Sequence, residues 1–262
     1  MLVKDRTDPQ TFQSLFKYKP IDIYLYELLI DGSLYFANRT KLNDPDEAVL
    51  HFERGYASVD GMYFTCLSTK GDDHLLWSHY AGGHSGVCLE FDFGNAVIFQ
   101  DAKSPYKIEN EVDEGAIWVD RVRYGKEFPR YLQSPDGESN LTFEEKQWFG
   151  FHKLTCWQSE NEVRLRMTIN EGSERSKIGK EGKKWKFRRS RLRAVYFGLR
   201  VQEPQRKLIM QLAKNHGYSC SFSRAVDVCY QQGENRHVVC FRRISEPRRQ
   251  NGPPAREART SG

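Results

Sequence analysis

The segment from Trp157 to Met167 most constrains the fold of this chain, because its polar and apolar residues alternate one by one. In an extended strand successive side chains point to opposite faces, so this alternation predicts a strand with one apolar and one polar face. Val163, Leu165 and Met167 would then pack against a core. The opposite face would carry two carboxylates and two guanidinium groups, those of Glu160, Glu162, Arg164 and Arg166.

The polar face of this predicted strand has two interpretations. Adjacent carboxylates repel each other, and the arginines relieve that repulsion only in part. A strand that keeps Glu160 and Glu162 together is therefore a candidate for binding or catalysis. Alternatively, the strand is an ordinary half-exposed one whose charged side chains form ion pairs at the surface.

Composition indicates a folded chain with an uneven distribution of positive charge. With 262 residues, 13% of them aromatic and 39% hydrophobic, the chain can bury a substantial core. Its net charge is only +5, but residues 175–193 contain ten lysines and arginines, and the tail from Arg242 onward adds six arginines. Such clusters favour a polyanionic partner such as nucleic acid. A solvated loop and a disordered tail would give the same pattern.

The cysteines and the N-terminus indicate a cytoplasmic protein. The six cysteines include no closely spaced pair, so we expect no metal site. Most of them lie in apolar segments, which predicts buried free thiols in a reducing compartment. The first residues, Met-Leu-Val-Lys-Asp-Arg, lack the apolar core of a signal peptide. No run of about 18 apolar residues occurs, so we expect no contact with a membrane.

Turn residues and periodicity divide the chain into mixed strands and helices. Helices are predicted over 21–30, 74–81, about 142–157 and 203–215. Further strands are predicted over 15–19, 33–37, 61–68, 86–92, 116–124, 192–197, and near 218–222 and 237–242. The irregular order favours one α+β domain over residues 1–245. A mobile basic loop is predicted near 170–190 and a disordered basic tail over 246–262.

Several short motifs occur together in a particular order. The most specific is Leu76-Trp-Ser-His-Tyr-Ala81, followed by Gly86-Val-Cys-Leu-Glu-Phe91. Leu42-Asn-Asp-Pro-Asp46 precedes them, and Glu160-Asn-Glu-Val-Arg164 follows them. In this order the sequence resembles the bacterial family called domain of unknown function 2971, over roughly residues 12–242. The family name implies no activity.

A second resemblance does imply an activity. A basic residue on the first strand, Ser68 at the end of a later strand, and the Glu160-Asn-Glu162 motif follow each other along the chain. In this order the chain is similar to ADP-ribosyltransferases, whose mixed, split β-sheet with flanking helices surrounds a cleft for NAD. The sequence departs from that pattern in its first two motifs, which usually contain Arg or His and then Ser-Thr-Ser or Tyr.

This second resemblance assigns the two glutamates to catalysis. Breaking the nicotinamide–ribose bond develops positive charge on the ribose, which a carboxylate can stabilise. Glu162 would take that role and would hold the ribose 2′-hydroxyl. Glu160 would position or deprotonate the acceptor.

The same resemblance implies a set of NAD-binding residues. Lys17 or Lys19 would hold the pyrophosphate or the adenosine ribose, and Tyr18 or Tyr80 would stack on nicotinamide. Ser68 would correspond to the second motif. The cleft would be rimmed by a turn that contains Asn43 and Asp44. Structural roles fit these residues as well: Tyr80 in a core, Ser68 at a strand end, and the turn residues in a turn only.

The resemblance therefore implies NAD-dependent ADP-ribosyl transfer to nucleic acid or protein. The enzyme would be a bacterial toxin or an antiviral defence effector, and an inhibitory protein would be its partner. The alternative is a non-catalytic module that binds nucleic acid or protein. Its phosphate contacts would come from Lys183, Lys184, Arg188 and Arg189, and Trp185 and Phe187 would stack on bases. Phosphate-ester hydrolysis lacks support because metal-ligand motifs are missing.

Overall fold

The structure is a computed structural model that describes residues 14–38, 41–43, 62–92, 116–127, 150–168, 182–234 and 236–244. It also describes the backbone of three short strands over 49–52, 55–58 and 106–109. The helices in these ranges are α1 (Ile23–Asp31), α2 (His74–Tyr80) and α3 (Glu203–Asn215). None of the described helices combines the length and the apolar character needed to cross a membrane.

Fifteen strands lie in the described ranges. The first six are β1 (Ser14–Lys19), β2 (Ser33–Asn38), β3 (Val49–Phe52), β4 (Gly55–Ser58), β5 (Met62–Ser68) and β6 (Val87–Asp92). The next five are β7 (Tyr106–Glu109), β8 (Ala116–Arg121), β9 (Arg123–Gly125), β10 (His152–Leu154) and β11 (Glu162–Thr168). The last four are β12 (Gly182–Lys186), β13 (Leu192–Phe197), β14 (Ser221–Gln231) and β15 (Arg236–Arg243).

Most of these strands join one mixed sheet in the order β15-β14-β13-β6-β1-β5-β11-β8-β7. β2 pairs with both β5 and β12, so it branches from the middle of that order. Within this sheet β13 and β14 run parallel, and the other described pairs are antiparallel. The predicted combination of helices with a mixed sheet is confirmed.

Local signals define the ends of α1. The Asp22 carboxylate accepts a hydrogen bond from the Leu25 backbone N–H at 3.0 Å, which caps the helix start. Gly32 follows the helix with φ of +66°, a left-handed conformation that glycine adopts without strain. Between these ends Leu25, Leu28 and Leu29 are buried against the sheet. The predicted helix with its Asp31-Gly32 end is therefore confirmed.

The two faces of the large sheet have different coverings. On one face Val163 and Leu165 pack in a core that also contains α1 and α3 residues. On the other face Trp77 of α2 packs with Phe16 and other residues of a smaller core. Ser68 lies opposite Phe16 in β1 and opposite Glu162 in β11. The polar face of β11 therefore lies on the side of the sheet that α2 covers.

The sheet opens in its middle because β1 and β5 diverge. β1 pairs with β6 along its whole length, but it pairs with β5 only where Phe16 lies opposite Ser68. Near Phe64, β5 pairs with β2 instead. The Cys66 carbonyl at the gap accepts a hydrogen bond from Lys17 Nζ at 2.8 Å. A side chain thus occupies the place where a neighbouring strand would otherwise bond.

The predicted helix over 142–157 is wrong in its described part. Residues 152–154 form β10, and residues 155–160 form a short 3₁₀ helix. β10 pairs with β9, which is distant in sequence, and Lys153 of β10 buries its ammonium group against two carboxylates. Strand pairing and ion pairing therefore prevail over local helical spacing. Residues 142–149, which hold the predicted capping box, lie outside the described ranges.

The prediction of a mobile basic loop is wrong over residues 182–190. This segment forms β12, which pairs with β2, and a 3₁₀ helix at Arg189–Arg191. Trp185 and Phe187 are buried in the main core, so they are not accessible for stacking on bases. The many charges conceal this apolar alternation in the sequence. Residues 169–181 and the predicted disordered tail over 246–262 lie outside the described ranges.

The cysteine prediction is partly wrong. Cys229 and Cys240 form a disulfide between β14 and β15. Cys66, Cys88, Cys156 and Cys220 are free, and Cys88 is buried as predicted, whereas Cys156 is exposed. The register of the β14–β15 hairpin brings the paired cysteines together, and spacing in the sequence does not reveal that register.

Candidate active site

A cleft lies on the α2 side of the sheet, next to the point where β1 and β5 diverge. It contains about 500 Å³ of space that is partly open to solvent. We call it the carboxylate cleft. It is lined by Phe16, Lys17, Tyr18, Asn43, Cys66, Leu67, Ser68, Leu76, Tyr80, Lys153, Glu160 and Glu162.

Glu162 is held rigidly at the start of β11. Arg164, two residues further on the same face, donates from Nε to Oε1 at 2.9 Å and from Nη2 to Oε2 at 3.0 Å. The third nitrogen of this guanidinium donates to the Gly150 carbonyl at 2.6 Å. Burial alone would raise the pKa of Glu162, but Arg164 and Lys153 together hold this pKa below its ordinary value. Glu162 is therefore ionised at neutral pH.

Lys153 is a site residue that the sequence analysis missed. Its side chain is 1% exposed, and its Nζ lies 2.6 Å from Glu160 Oε2 and 3.4 Å from Glu162 Oε2. The ammonium group also lies 4.6 Å from the centre of the Trp157 ring. One buried cation thus holds together two carboxylates that would repel each other. No local pattern distinguishes this lysine from the other lysines of the chain.

Glu160 reaches the cleft by a different route from the one predicted. It ends the 3₁₀ helix Thr155–Glu160, and Asn161, with φ of 45°, separates it from β11. This left-handed residue interrupts the extended backbone, so the prediction that Glu160 lies on the strand is wrong. Its carboxylate still faces the cleft, where it accepts hydrogen bonds from the Tyr80 hydroxyl and from Lys153.

Tyr80 connects the buried carboxylate to the rim of the cleft. Burial raises the pKa of Tyr80 well above its ordinary value, and the hydrogen bond to Glu160 raises it further. The phenol therefore stays neutral and donates a hydrogen bond to Glu160. Asn43 Nδ2, at the exposed rim, donates to the Tyr80 oxygen at 2.5 Å. A chain of hydrogen bonds thus runs from the rim to the carboxylate pair.

Ser68 and Tyr18 line the cleft with hydroxyl groups that already have partners. Ser68 Oγ donates to the Glu160 carbonyl at 2.9 Å and accepts from the Lys70 backbone N–H at 3.1 Å. The Tyr18 hydroxyl donates to the Lys70 carbonyl at 2.8 Å, and its ring contacts Trp77 edge-on. These bonds fix the wall of the cleft. Tyr124, which was not predicted, supports Glu162 because its hydroxyl accepts from the Glu162 backbone N–H at 3.0 Å.

Lys17 of β1 lies at the junction with a second, larger cleft, which Lys19 also lines. This lysine cleft contains about 1580 Å³ of space, and it shares Lys17, Asn43, Cys66 and Tyr80 with the carboxylate cleft. Burial lowers the pKa of Lys17 to about 8. Burial also lowers the pKa of Lys19, which lines only the lysine cleft, although Asp22 and Glu27 act in the opposite direction.

The structure thus brings most of the predicted NAD-site residues together. Glu160, Glu162, Lys17, Tyr18, Ser68, Tyr80 and Asn43 line the carboxylate cleft, Lys19 lines the adjoining one, and Asp44 lies outside the described ranges. Three cations, Lys17, Lys153 and Arg164, accompany the two carboxylates, so these groups carry a net positive charge that favours an anionic ligand. In the described part of the chain, no group of three or more His, Cys, Asp or Glu side chains is placed to hold a metal.

The predicted nucleic-acid contacts do not form one exposed patch. Lys184 lines the lysine cleft but forms ion pairs with Glu27 and Asp31. Arg189 donates to the Ile30 carbonyl at 3.0 Å and lies over the Tyr218 ring. Arg188 is exposed, and the side chain of Lys183 lies outside the described part. Two of the four predicted contacts are therefore used, at least in part, to attach this segment to α1.

Comparison with known proteins supports the first of the two resemblances. Residues 76–165 match the family model described as Protein of unknown function (DUF2971). The predicted resemblance to that family is confirmed over these residues, which include most of α2, Lys153 and both glutamates. No match is found among curated proteins or among solved structures.

Proposed function

We propose that the protein is an NAD-dependent ADP-ribosyltransferase. The observation that carries this proposal is the convergence of Glu160 and Glu162 with Lys17, Ser68 and Tyr80 in one cleft. These residues are distant in sequence, and distant motifs are relevant to one reaction only if they meet in space. The divergence of β1 and β5 supports the finer fold assignment, a split sheet of the ADP-ribosyltransferase type, as part of the same proposal.

In the proposed reaction Glu162 stabilises the positive charge that develops on the ribose as nicotinamide leaves. Support comes from its ionised state and from the two hydrogen bonds through which Arg164 orients it. A preorganised charge of this kind needs no reorientation during the reaction. The lowered pKa of Glu162 makes it a weak proton acceptor, so we assign it an electrostatic role and a contact to the ribose 2′-hydroxyl.

We assign to Glu160 the role of taking the proton of the acceptor. The hydrogen-bond chain from Asn43 through Tyr80 leads from the exposed rim to the Glu160 carboxylate. A hydroxyl or amine of an acceptor that enters along this rim reaches a carboxylate able to take its proton. We assign the pyrophosphate of NAD to Lys17, and the position of this residue at the junction of the two clefts supports the assignment.

The biological roles that the resemblance implies belong to the same proposal. They are a bacterial toxin or an antiviral defence effector that modifies nucleic acid or protein, with an inhibitory partner protein to protect the producing cell.

Release of nicotinamide by purified wild type and by Glu162→Gln tests this proposal. We expect the substitution to lower the rate about 10²- to 10³-fold, which is typical when one preorganised electrostatic contact is lost. Glu90→Gln is a matched control, because Glu90 is a hydrogen-bonded carboxylate on β6 that does not line the carboxylate cleft. Melting curves of both variants separate loss of activity from loss of folding.

The alternative function, a non-catalytic binding module, is favoured by the burial of the ionic cluster. Arg164 and Lys153 are almost inaccessible, as expected if their pairs with the glutamates only stabilise the fold. In that case wild type releases no nicotinamide with any acceptor offered, and Glu162→Gln lowers the melting temperature. This pair of results would end the enzyme proposal.

A further inference from the structure

The lysine cleft differs in character from the carboxylate cleft beside it. Its described lining contains four lysines, Lys17, Lys19, Lys41 and Lys184, but only one acidic residue, Glu27. Glu27 is already paired with Lys184. The remaining positive charge is concentrated between two walls of the cleft, where it attracts anions more strongly than it would on a flat surface.

Two exposed aromatic rings stand in the lining of this cleft. Tyr24, in the first turn of α1, is 65% exposed, and Tyr35 of β2 is 43% exposed. Tyr35 lies directly opposite Lys184 in the pairing of β2 with β12, so a ring and a cation are neighbours on one wall. Aromatic rings beside basic groups are the usual elements of sites for single-stranded nucleic acid, because bases stack on the rings while phosphates meet the cations.

We propose that a single strand of nucleic acid binds in the lysine cleft, with bases against Tyr24 and Tyr35 and phosphates at Lys19 and Lys41. Because the two clefts share Asn43 and Tyr80, a strand bound here passes beside the Glu160 carboxylate. The strand is then the acceptor of the ADP-ribosyl group. This last step rests on the proposed function, whereas strand binding does not.

The transfer step balances as follows. The bond between the anomeric ribose carbon and the nicotinamide nitrogen breaks, and nicotinamide leaves as a neutral molecule with the bonding electron pair. A nucleophilic oxygen or nitrogen of the strand forms the new bond to the anomeric carbon. Its proton passes to Glu160 and from there to solvent. No oxidant or reductant is required.

Fluorescence anisotropy with labelled single-stranded DNA and RNA oligonucleotides, without NAD, tests strand binding. We expect the Tyr24→Ala/Tyr35→Ala double variant to bind at least about tenfold more weakly than wild type, since each lost stacking contact is costly. Tyr230→Ala is the matched control, because Tyr230 is 52% exposed but lies on the β14–β15 hairpin rather than in the lysine cleft. Its affinity should equal that of wild type.

The salt dependence of binding tests the phosphate contacts. Loss of two contacts in Lys19→Gln/Lys41→Gln should reduce the slope of log affinity against log salt by about 1.4, at roughly 0.7 per phosphate of a single strand. Lys207→Gln/Lys214→Gln, on the exposed side of α3, should leave this slope unchanged.

Several outcomes would overturn the proposal. They are the absence of strand binding, equal losses in the control variants, equally tight binding of duplex DNA or of an acidic peptide, and complete displacement of the strand by NAD. Nicotinamide release measured in parallel keeps the two proposals separate. Strand binding without nicotinamide release contradicts only the transferase, and nicotinamide release without strand binding contradicts only the inference about the lysine cleft.

Discussion

The carboxylate cleft and the lysine cleft share a wall, but they differ in how their side chains are buried and paired. In the carboxylate cleft Glu160, Glu162, Lys153 and Arg164 bond to one another and are almost completely buried. In the lysine cleft Lys41, Tyr24 and Tyr35 are exposed. Internally paired charges are rigid and hold a fixed geometry, which suits chemistry at one bond. Exposed groups can change conformation when a ligand binds, which suits a longer and more variable molecule.

Because the ion pair of Arg164 with Glu162 is buried, we expect its loss to lower stability more than the other changes described below. Arg164→Met leaves the Glu162 carboxylate buried without its two guanidinium hydrogen bonds, although the pair with Lys153 remains. We expect the free energy of unfolding to fall by about 3–5 kcal/mol, as for other buried pairs that lose one partner. Equilibrium urea unfolding measures it.

Arg193→Met is the matched control for the Arg164 variant. Arg193 forms an ion pair with Asp92, but its side chain is 61% exposed. An exposed pair contributes about 0–1 kcal/mol because water and salt screen it. Equal effects of the two substitutions would show that burial does not distinguish the charges of the carboxylate cleft from those at the surface.

Lys17 lines both clefts, and the pH dependence of ligand binding tests whether its protonated amine binds an anion. Because its pKa in the folded chain is about 8, binding of an anion that needs the protonated amine should weaken about tenfold between pH 7 and pH 9. Calorimetric titration with ADP-ribose measures this change. Lys17→Arg keeps its charge over that range and should remove the pH dependence. A pH dependence that persists in this variant would assign it to another group.

The same lowered pKa determines how Lys17 affects stability. Between about pH 8 and the ordinary lysine pKa of 10.5, the unfolded chain binds more protons at this residue than the folded chain does. The contribution of Lys17 to the free energy of unfolding therefore rises with pH through this window. Lys17→Met should remove that rise, which urea unfolding at pH 8 and pH 10 can measure.

Of these substitutions, Lys184→Gln should have the smallest effect on stability and on strand binding. It lines the lysine cleft, but its ammonium group is engaged by Glu27 and Asp31 at the surface. Lys184→Gln should change the free energy of unfolding by less than about 1 kcal/mol. It should also leave the salt dependence of strand binding close to that of wild type. A large loss of binding would show that Lys184 exchanges its carboxylate partners for phosphate.

Local interactions explain the elements that were predicted correctly. Leu192–Phe197 and Glu203–Asn215 have the predicted bounds, because apolar spacing and end signals of a few residues specify them. The alternation from Glu162 onward likewise defines β11 and its two faces. Each of these signals depends on neighbours in sequence, so the sequence by itself determined them.

Tertiary structure alone decided how the two clefts are built. β10, which carries Lys153, pairs with the distant strand β9, and the Asn161 carbonyl accepts a hydrogen bond from the Thr69 backbone N–H. Trp185 is buried in the folded core, and the Cys229–Cys240 disulfide depends on the register of its hairpin. The sequence indicated that Glu160 and Glu162 belong together, but not that Lys153 neutralises them or that β1 and β5 separate beside them. Those features depend on strand register and on the burial of charge, and both are set by the energy of the whole folded chain.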